Sequence, residues 1–299
     1  MCANILSISL NHAKALKKIR GIIVGRNGLV FSHLLFADDS LLFFRKDKNY
    51  VQNLQSILEW YCSISGQSIN LAKSDVLCSP NMPTEEQVGL ANSLRVNLVQ
   101  QPSKYHGVHF KLRVNRIADF QFLIDKLQAK LQGWKMKLLS QAGRTTLITF
   151  VLQSLPLYSF SCYEVPDVVC SKMDSIIRAF WWGHDYGERK FHLINWDRIN
   201  QLNRMGGLGL KKFKTMNQAM LNKQYWRLCQ NPNSLLAKTI KARYSPNSSI
   251  QDYRAKPHHS WVWRNIIKVE HPFLREGRWR VGNGYNIPLN HTDWFPFQT

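Results

Sequence analysis

Two adjacent carboxylates, Asp38 and Asp39, sit between the apolar runs His33-Leu34-Leu35-Phe36 and Leu41-Leu42-Phe43-Phe44. Aspartate is disfavoured inside strands and suits turns, so the pattern predicts a β-hairpin with its acids at the tip. A turn between two strands holds such groups close without burying their charge. Clustered carboxylates are what two-metal phosphoryl transfer needs, with the cations ~3.5–4 Å apart. Oxygen ligands and partial hydration suit Mg²⁺. Further along, Lys73 reads as a surface lysine after a helix. An Asp-Asp pair by itself is also what an ordinary solvated turn carries.

The elements around the pair must position it. The first forty-odd residues read as β-structure, with Ile22–Val24 and Leu29–Phe31 joined through Asn27-Gly28 as a hairpin ahead of the acidic one. An amphipathic helix follows from about Lys48 to Ile64, with Val51, Leu54, Ile57, Leu58, Tyr61 and Ile64 at three- and four-residue spacing and Gly66 as its C-cap. Thr84-Glu85-Glu86-Gln87 has the pattern of a capping box at the start of another helix. The most regular apolar seam runs through Ile117, Phe120, Ile124, Leu127, Leu131, Trp134 and Leu138, leaving Lys126, Lys130, Lys135 and Lys137 off it. This seam is expected to pack on a charge-poor helix from about Ala142 to Leu155. The uncharged stretch Thr145–Tyr163 is interrupted by hydroxyl groups, Gln153 and Pro156, so it reads as a buried helix and not as a membrane span. Helices are also expected from Pro166, near Met216–Cys229 and at Leu235–Tyr244, and a hairpin over residues 277–287.

Forty Lys and Arg against nineteen Asp and Glu give a net charge of +21 over 299 residues. The halves carry +10 and +11, so the excess is spread along the whole chain. With 44% hydrophobic residues the chain can bury a core, and its natural partner is a polyanion, nucleic acid first. Six cysteines without a Cys-x-x-Cys spacing, and no secretory signal, read as reduced thiols of an intracellular, non-secreted protein. His106, His109, His258 and His259 lack partners at metal spacing and read as structural. Gly206-Gly207-Leu208-Gly209 reads as a loop packed closely on another backbone. Tryptophans after residue 130 could stack on bases or fill the core.

Phe36-Ala37-Asp38-Asp39 between apolar strands resembles the catalytic hairpin of reverse transcriptases, in the form found in non-LTR (LINE-type) retrotransposons of plants. Gly66, Asn70 and Lys73 resemble the next palm motif of that family, and Lys104-Tyr105-His106-Gly107-Val108 the one after it, with His106 in place of the usual Leu. Trp181-Trp182-Gly183, Gly206–Leu210 and Trp226-Arg227-Leu228 resemble its connector region. The resemblance implies an α+β chain: a partial palm over 1–112, a helical thumb over 113–183 and a basic, Trp-rich connector over 184–299. It implies RNA-directed DNA polymerase chemistry, with Asp38 and Asp39 as metal ligands and catalytic residues, Lys73 beside the leaving group, and Mg²⁺ as the cofactor. The implied partners are a template–primer duplex of RNA and DNA, lying along Lys126, Lys130, Lys135 and Lys137, and deoxynucleotide triphosphates. No membrane partner is implied.

The family also uses a metal-binding aspartate upstream of the hairpin, and no acidic residue precedes Asp38 here. The chain by itself is therefore expected to be inactive. A non-catalytic nucleic-acid-binding remnant and a non-functional pseudogene product stand beside the enzyme reading.

Overall fold

Residues 2–15 form a helix where β-structure was expected. They open a computed structural model that describes residues 2–25, 29–100, 117–132, 139–184, 192–244 and 255–269. The fold is α+β, predominantly helical, with three two-stranded sheets among the described residues. It divides into two units, Met1–Arg113 with Leu228–Tyr253, and Val114–Arg227 with Arg254–Thr299.

In the first unit, α1 (Cys2–Ala15) buries Leu6, Leu10 and Ala13, spaced four and three residues apart on one helical face. The hairpin of β1 (Ile22–Val24) and β2 (Leu29–Phe31) forms as expected, Ile22 opposite Phe31 and Val24 opposite Leu29. Its expected Asn27-Gly28 turn lies outside the described residues. A second hairpin joins β3 (His33–Phe36) to β4 (Asp39–Leu42). Next, α2 (Lys48–Ser65) starts at Asp47, whose carboxylate accepts from the Asn49 N–H, and ends at Gly66 with φ 68°. Val51, Leu54 and Tyr61 of α2 are buried, whereas Ile64, expected on the same stripe, is exposed because the last turn runs past the core. Leu6, Leu10, Ala13, Ile19, Leu54 and Tyr61 make that core, and Leu35, Leu42 and Phe44 pack against it. The acidic hairpin is thereby anchored by its own apolar residues.

Beyond α2, β5 (Asp75–Leu77), α3 (Thr84–Leu94) and β6 (Asn97–Val99) make a parallel β-α-β unit. The capping box expected at Thr84 does not form. Pro83 is the cap residue with no side-chain bond, and the Gln87 amide donates instead to the Met82 carbonyl. A late segment, α10 (Leu235–Tyr244), matches its expected bounds and returns to pack on β1 and β2. Gly25, at φ 84°, makes room for it: a Cβ there would lie 2.4 Å from the Ala242 carbonyl oxygen.

In the second unit, the seam begins as a 3-10 turn, Ile117–Phe120, and continues as α4 (Gln121–Gln132). Phe120, Leu123, Ile124 and Leu127 are buried, but Ile117 is exposed; Trp134 and Leu138 lie outside the described residues. The main packing partner of α4 is α7 (Asp167–Trp182), not the 142–155 segment as expected. The reason lies in α7, which offers a continuous apolar face of Val169, Met173, Ile176, Ile177 and Phe180. The charge-poor segment is no single helix. It breaks into α5 (Gln141–Leu147), a π-helical turn at Ile148–Leu152 and α6 (Leu157–Cys162). Thr145, Thr146 and Thr149 each donate to the carbonyl four residues back, which loosens helices, and Pro156 lacks the N–H to continue. Ile148 and Leu152 are buried while Phe150 is 74% exposed, so burial is one-sided.

The remaining helices are α8 (Trp196–Ile199), α9 (Phe213–Gln230) and α11 (Trp261–Lys268). Asn217 of α9 is buried and satisfied at both ends: its amide donates to the Phe160 and Tyr163 carbonyls, and its Oδ1 accepts from the Val165 N–H. It closes the C-terminal end of α6. The hairpin expected at 277–287 lies outside the described residues.

Candidate functional site

The β3–β4 hairpin pairs His33 with Leu42, Leu34 with Leu41, Leu35 with Ser40 and Phe36 with Asp39. Ala37 and Asp38 are the two-residue turn, so Asp38 stands at the tip and Asp39 is the first residue of the returning strand. Ala37 has φ 50°, and Asp38 is not among the residues with positive φ. A positive φ at the first turn position only is the pattern of the II′ hairpin turn, which usually takes glycine there. Both aspartates are solvent-exposed.

Side chains alternate across the hairpin. His33, Leu35, Ser40 and Leu42 share the face turned to α1, and Leu34, Phe36, Asp39 and Leu41 share the other. The inner face is tethered by a polar contact that sequence reasoning missed. The His33 ring lies between two serines, with Nε2 2.8 Å from Ser7 Oγ of α1 and Nδ1 3.0 Å from Ser32 Oγ. A neutral imidazole donates from one nitrogen and accepts at the other, so one serine accepts and the other donates. Burial, with the nearby Lys14 charge second, lowers the His33 pKa. The sequence signal was slight: a Ser-His pair entering a strand, and a serine within the apolar run of α1.

Lys73 is exposed and ends the 3-10 turn Leu71–Lys73, where its backbone N–H donates to Asn70 Oδ1 at 3.1 Å. The Asn70–Lys73 spacing is thus a local cap. Lys73 hydrogen-bonds to neither Asp38 nor Asp39. Among the described residues no three His, Cys, Asp or Glu side chains gather as a metal-binding group. Two neighbouring carboxylates supply part of a Mg²⁺ donor set and do not by themselves fit a two-metal centre.

Of the four expected duplex-facing lysines, Lys126 and Lys130 are exposed on α4, with Lys126 Nζ 5.5 Å from the centre of the Phe122 ring. Lys135, Lys137 and the segment Lys104–Val108 lie outside the described residues. The tryptophans divide. Trp263 and Trp181 are buried, the latter donating to Thr145 Oγ1 at 2.9 Å, whereas Trp226 is 46% exposed. Trp182 stacks on His192, whose Nε2 is 2.9 Å from that of His184. His259 accepts from the Lys256 N–H in a turn, a structural role. Gly183 ends α7 at φ 75°, with the Arg144 guanidinium where a Cβ would project. Gly207 lies so close to the Gln201 carbonyl that a Cβ would come within 2.1 Å, the close backbone approach expected of this loop.

Comparison with known proteins adds partial likenesses. No family model matches the chain. Over 186 residues, 61% of this chain, the sequence is 34% identical to a protein of Arabidopsis thaliana named "Putative ribonuclease H protein", and the match spans 30% of that protein. Over 147 residues, 49% of this chain, it is 29% identical to an "Uncharacterized mitochondrial protein" of the same plant, and there the match spans 96% of the relative. No helix among the described residues is long and apolar enough to cross a membrane.

Proposed function

We propose that this chain is the palm-hairpin, thumb and connector portion of a non-LTR reverse transcriptase, with the divisions 1–112, 113–183 and 184–299. In this reading it holds RNA–DNA template–primer duplex without extending the primer by itself. The observation that carries the reading is a hairpin, anchored on α1 and α2, that places Asp38 in its two-residue turn and Asp39 at the start of the returning strand. A net charge of +21 and a relative named as a ribonuclease H protein support a nucleic-acid partner. In this reading Asp38 and Asp39 are metal ligands inherited from the polymerase, Lys73 stands near the leaving group, and Lys126, Lys130, Lys135 and Lys137 line the duplex. That no third ligand joins Asp38 and Asp39 among the described residues favours binding over catalysis.

Primer extension on an RNA template with Mg²⁺ or Mn²⁺ tests the catalytic half, and no product is expected. Extension that disappears in Asp38→Asn would reverse that half of the reading. Binding to a labelled RNA–DNA hybrid tests the other half. Affinity should fall with salt, by a slope of ~0.9 per neutralised phosphate on duplex. A chain that shows no hybrid binding at low salt, or no cooperative melting transition, is better described as a non-functional remnant.

A further inference from the structure

Three stretches separate in the sequence meet at the end of the first unit away from the Ala37–Asp38 turn. The Phe43 N–H donates to the Ser32 carbonyl, and the Arg45 N–H donates to the Arg20 carbonyl at 2.8 Å, which lays the exit from β4 beside the entry to β1. The Asn53 amide of α2 donates to the Lys18 carbonyl at 2.8 Å, bringing the loop after α1 onto α2. These bonds bring together Lys17, Lys18, Arg20, Arg45 and Lys48, all exposed. Six residues of extended chain, about 20 Å, separate Arg45 from Asp39.

Carboxylates here are few and engaged. Asp47 accepts from the Asn49 N–H as the cap of α2, and Glu86 forms an ion pair with Lys46. The five cations form no ion pair with a described residue. Near the end of α1, Lys17 and Lys18 complement the helix dipole. Arg20, Arg45 and Lys48 have no such local reason. Lys48 opens α2 directly after Asp47, the carboxylate that caps this helix, and the first turn itself holds no acid. Like charges gathered this way repel.

We infer that this cluster is a second phosphate-binding surface, gripping a nucleic-acid backbone at the end of the first unit remote from the acidic turn. It rests on the nucleic-acid half of the function proposed above and not on chemistry at Asp38. The even spread of charge over both halves of the chain suits a long polyanion better than a local lipid patch. Contacts of this kind position a duplex without reading its sequence.

The test uses the full chain, a fluorescein-labelled RNA–DNA hybrid in two unrelated sequences, and vesicles of phosphatidylserine in phosphatidylcholine. Replacing Lys17, Lys18, Arg20, Arg45 and Lys48 with Gln should weaken hybrid binding ~10-fold or more at low salt, equally for both sequences, and lower the salt slope by ~2–4. Exchanging the same five residues Lys for Arg and Arg for Lys should leave affinity within ~3-fold. In the unmodified chain, bound hybrid should protect Lys17, Lys18 and Lys48 from acetylation, which keeps the test open if the Gln variant folds poorly. Unchanged affinity and slope in the Gln variant, absence of protection, or capture by vesicles but not by hybrid would each overturn the inference. A parent chain that never binds hybrid removes the proposed function as well. A parent that binds while the Gln variant binds equally removes this surface only.

Discussion

Asp39 stands opposite Phe36 across the β3–β4 hairpin, on the face turned away from α1, and both side chains are exposed. The turn between them is closed by Ala37 at φ 50°, a conformation that glycine adopts without a Cβ penalty. Ala37→Gly should therefore leave stability unchanged or raise it by up to ~1 kcal/mol, despite the entropy glycine adds to the unfolded chain. Ala37→Val should cost ~1–2 kcal/mol. Urea unfolding of the two variants checks the order, and a Val variant as stable as the Gly variant would contradict it.

Asn217 joins α9 to the end of α6 through three buried hydrogen bonds. In Asn217→Leu, two carbonyls and one N–H lose their partner at once. At ~1–3 kcal/mol for each unsatisfied buried group, the loss should exceed ~3 kcal/mol. Asn217→Asp keeps the acceptor for Val165 but faces two carbonyls with a carboxylate, so it should not rescue. Equilibrium denaturation followed by Trp fluorescence measures both.

Asp174 gives the second unit a pH dependence. Burial raises its pKa to about 6, against the opposing pull of the Phe213 N–H, Lys212 and Arg178, and Asp197 adds to the rise. The folded pKa lies above the unfolded value, so the fold favours the neutral acid. Stability should rise as pH falls from 7 through 6 and level off near 4, by on the order of 2 kcal/mol. Asp174→Asn keeps an acceptor for the Phe213 N–H, recorded at 3.2 Å to Oδ1, and should flatten this part of the profile. Thermal melts between pH 4 and pH 8 distinguish the two proteins.

On α4, Leu127 is fully buried and Lys126 and Lys130 are exposed. Leu127→Ala should cost ~2–5 kcal/mol, while replacing both lysines with Gln should stay within ~0.5 kcal/mol. If the lysine variant melts early and Leu127→Ala does not, the helix presents the opposite face.

A helical face was legible where one period dominated, as for Val51, Leu54 and Tyr61 of α2, while for α10 the bounds were legible. In α1 two periods compete. Ile5-Leu6-Ser7-Ile8-Ser9-Leu10 alternates like a strand, and only the burial of Leu6, Leu10 and Ala13 settles it as helix. A seam names the face that is buried and not its neighbour, which is why α4 found α7. Of the site, the hairpin and the place of Asp38 in its turn could be read directly because turn chemistry is local, whereas Asp39, expected at the tip, is the first residue of β4. The Ser7–His33–Ser32 tether and the meeting of Arg20 with Arg45 could not, since each depends on segments joined only by folding.

Gly25 touches the backbone of Ala242, so one contact of the first unit spans more than two hundred residues of chain. A ribosome adding roughly 5–20 residues per second needs about 10–40 s to make that stretch. Through that interval β1 and β2 wait without α10, and the whole of Val114–Arg227 emerges before the first unit can close. The second unit waits longer still, because Arg254–Thr299 also belongs to it, so the order of synthesis completes the first unit before the second.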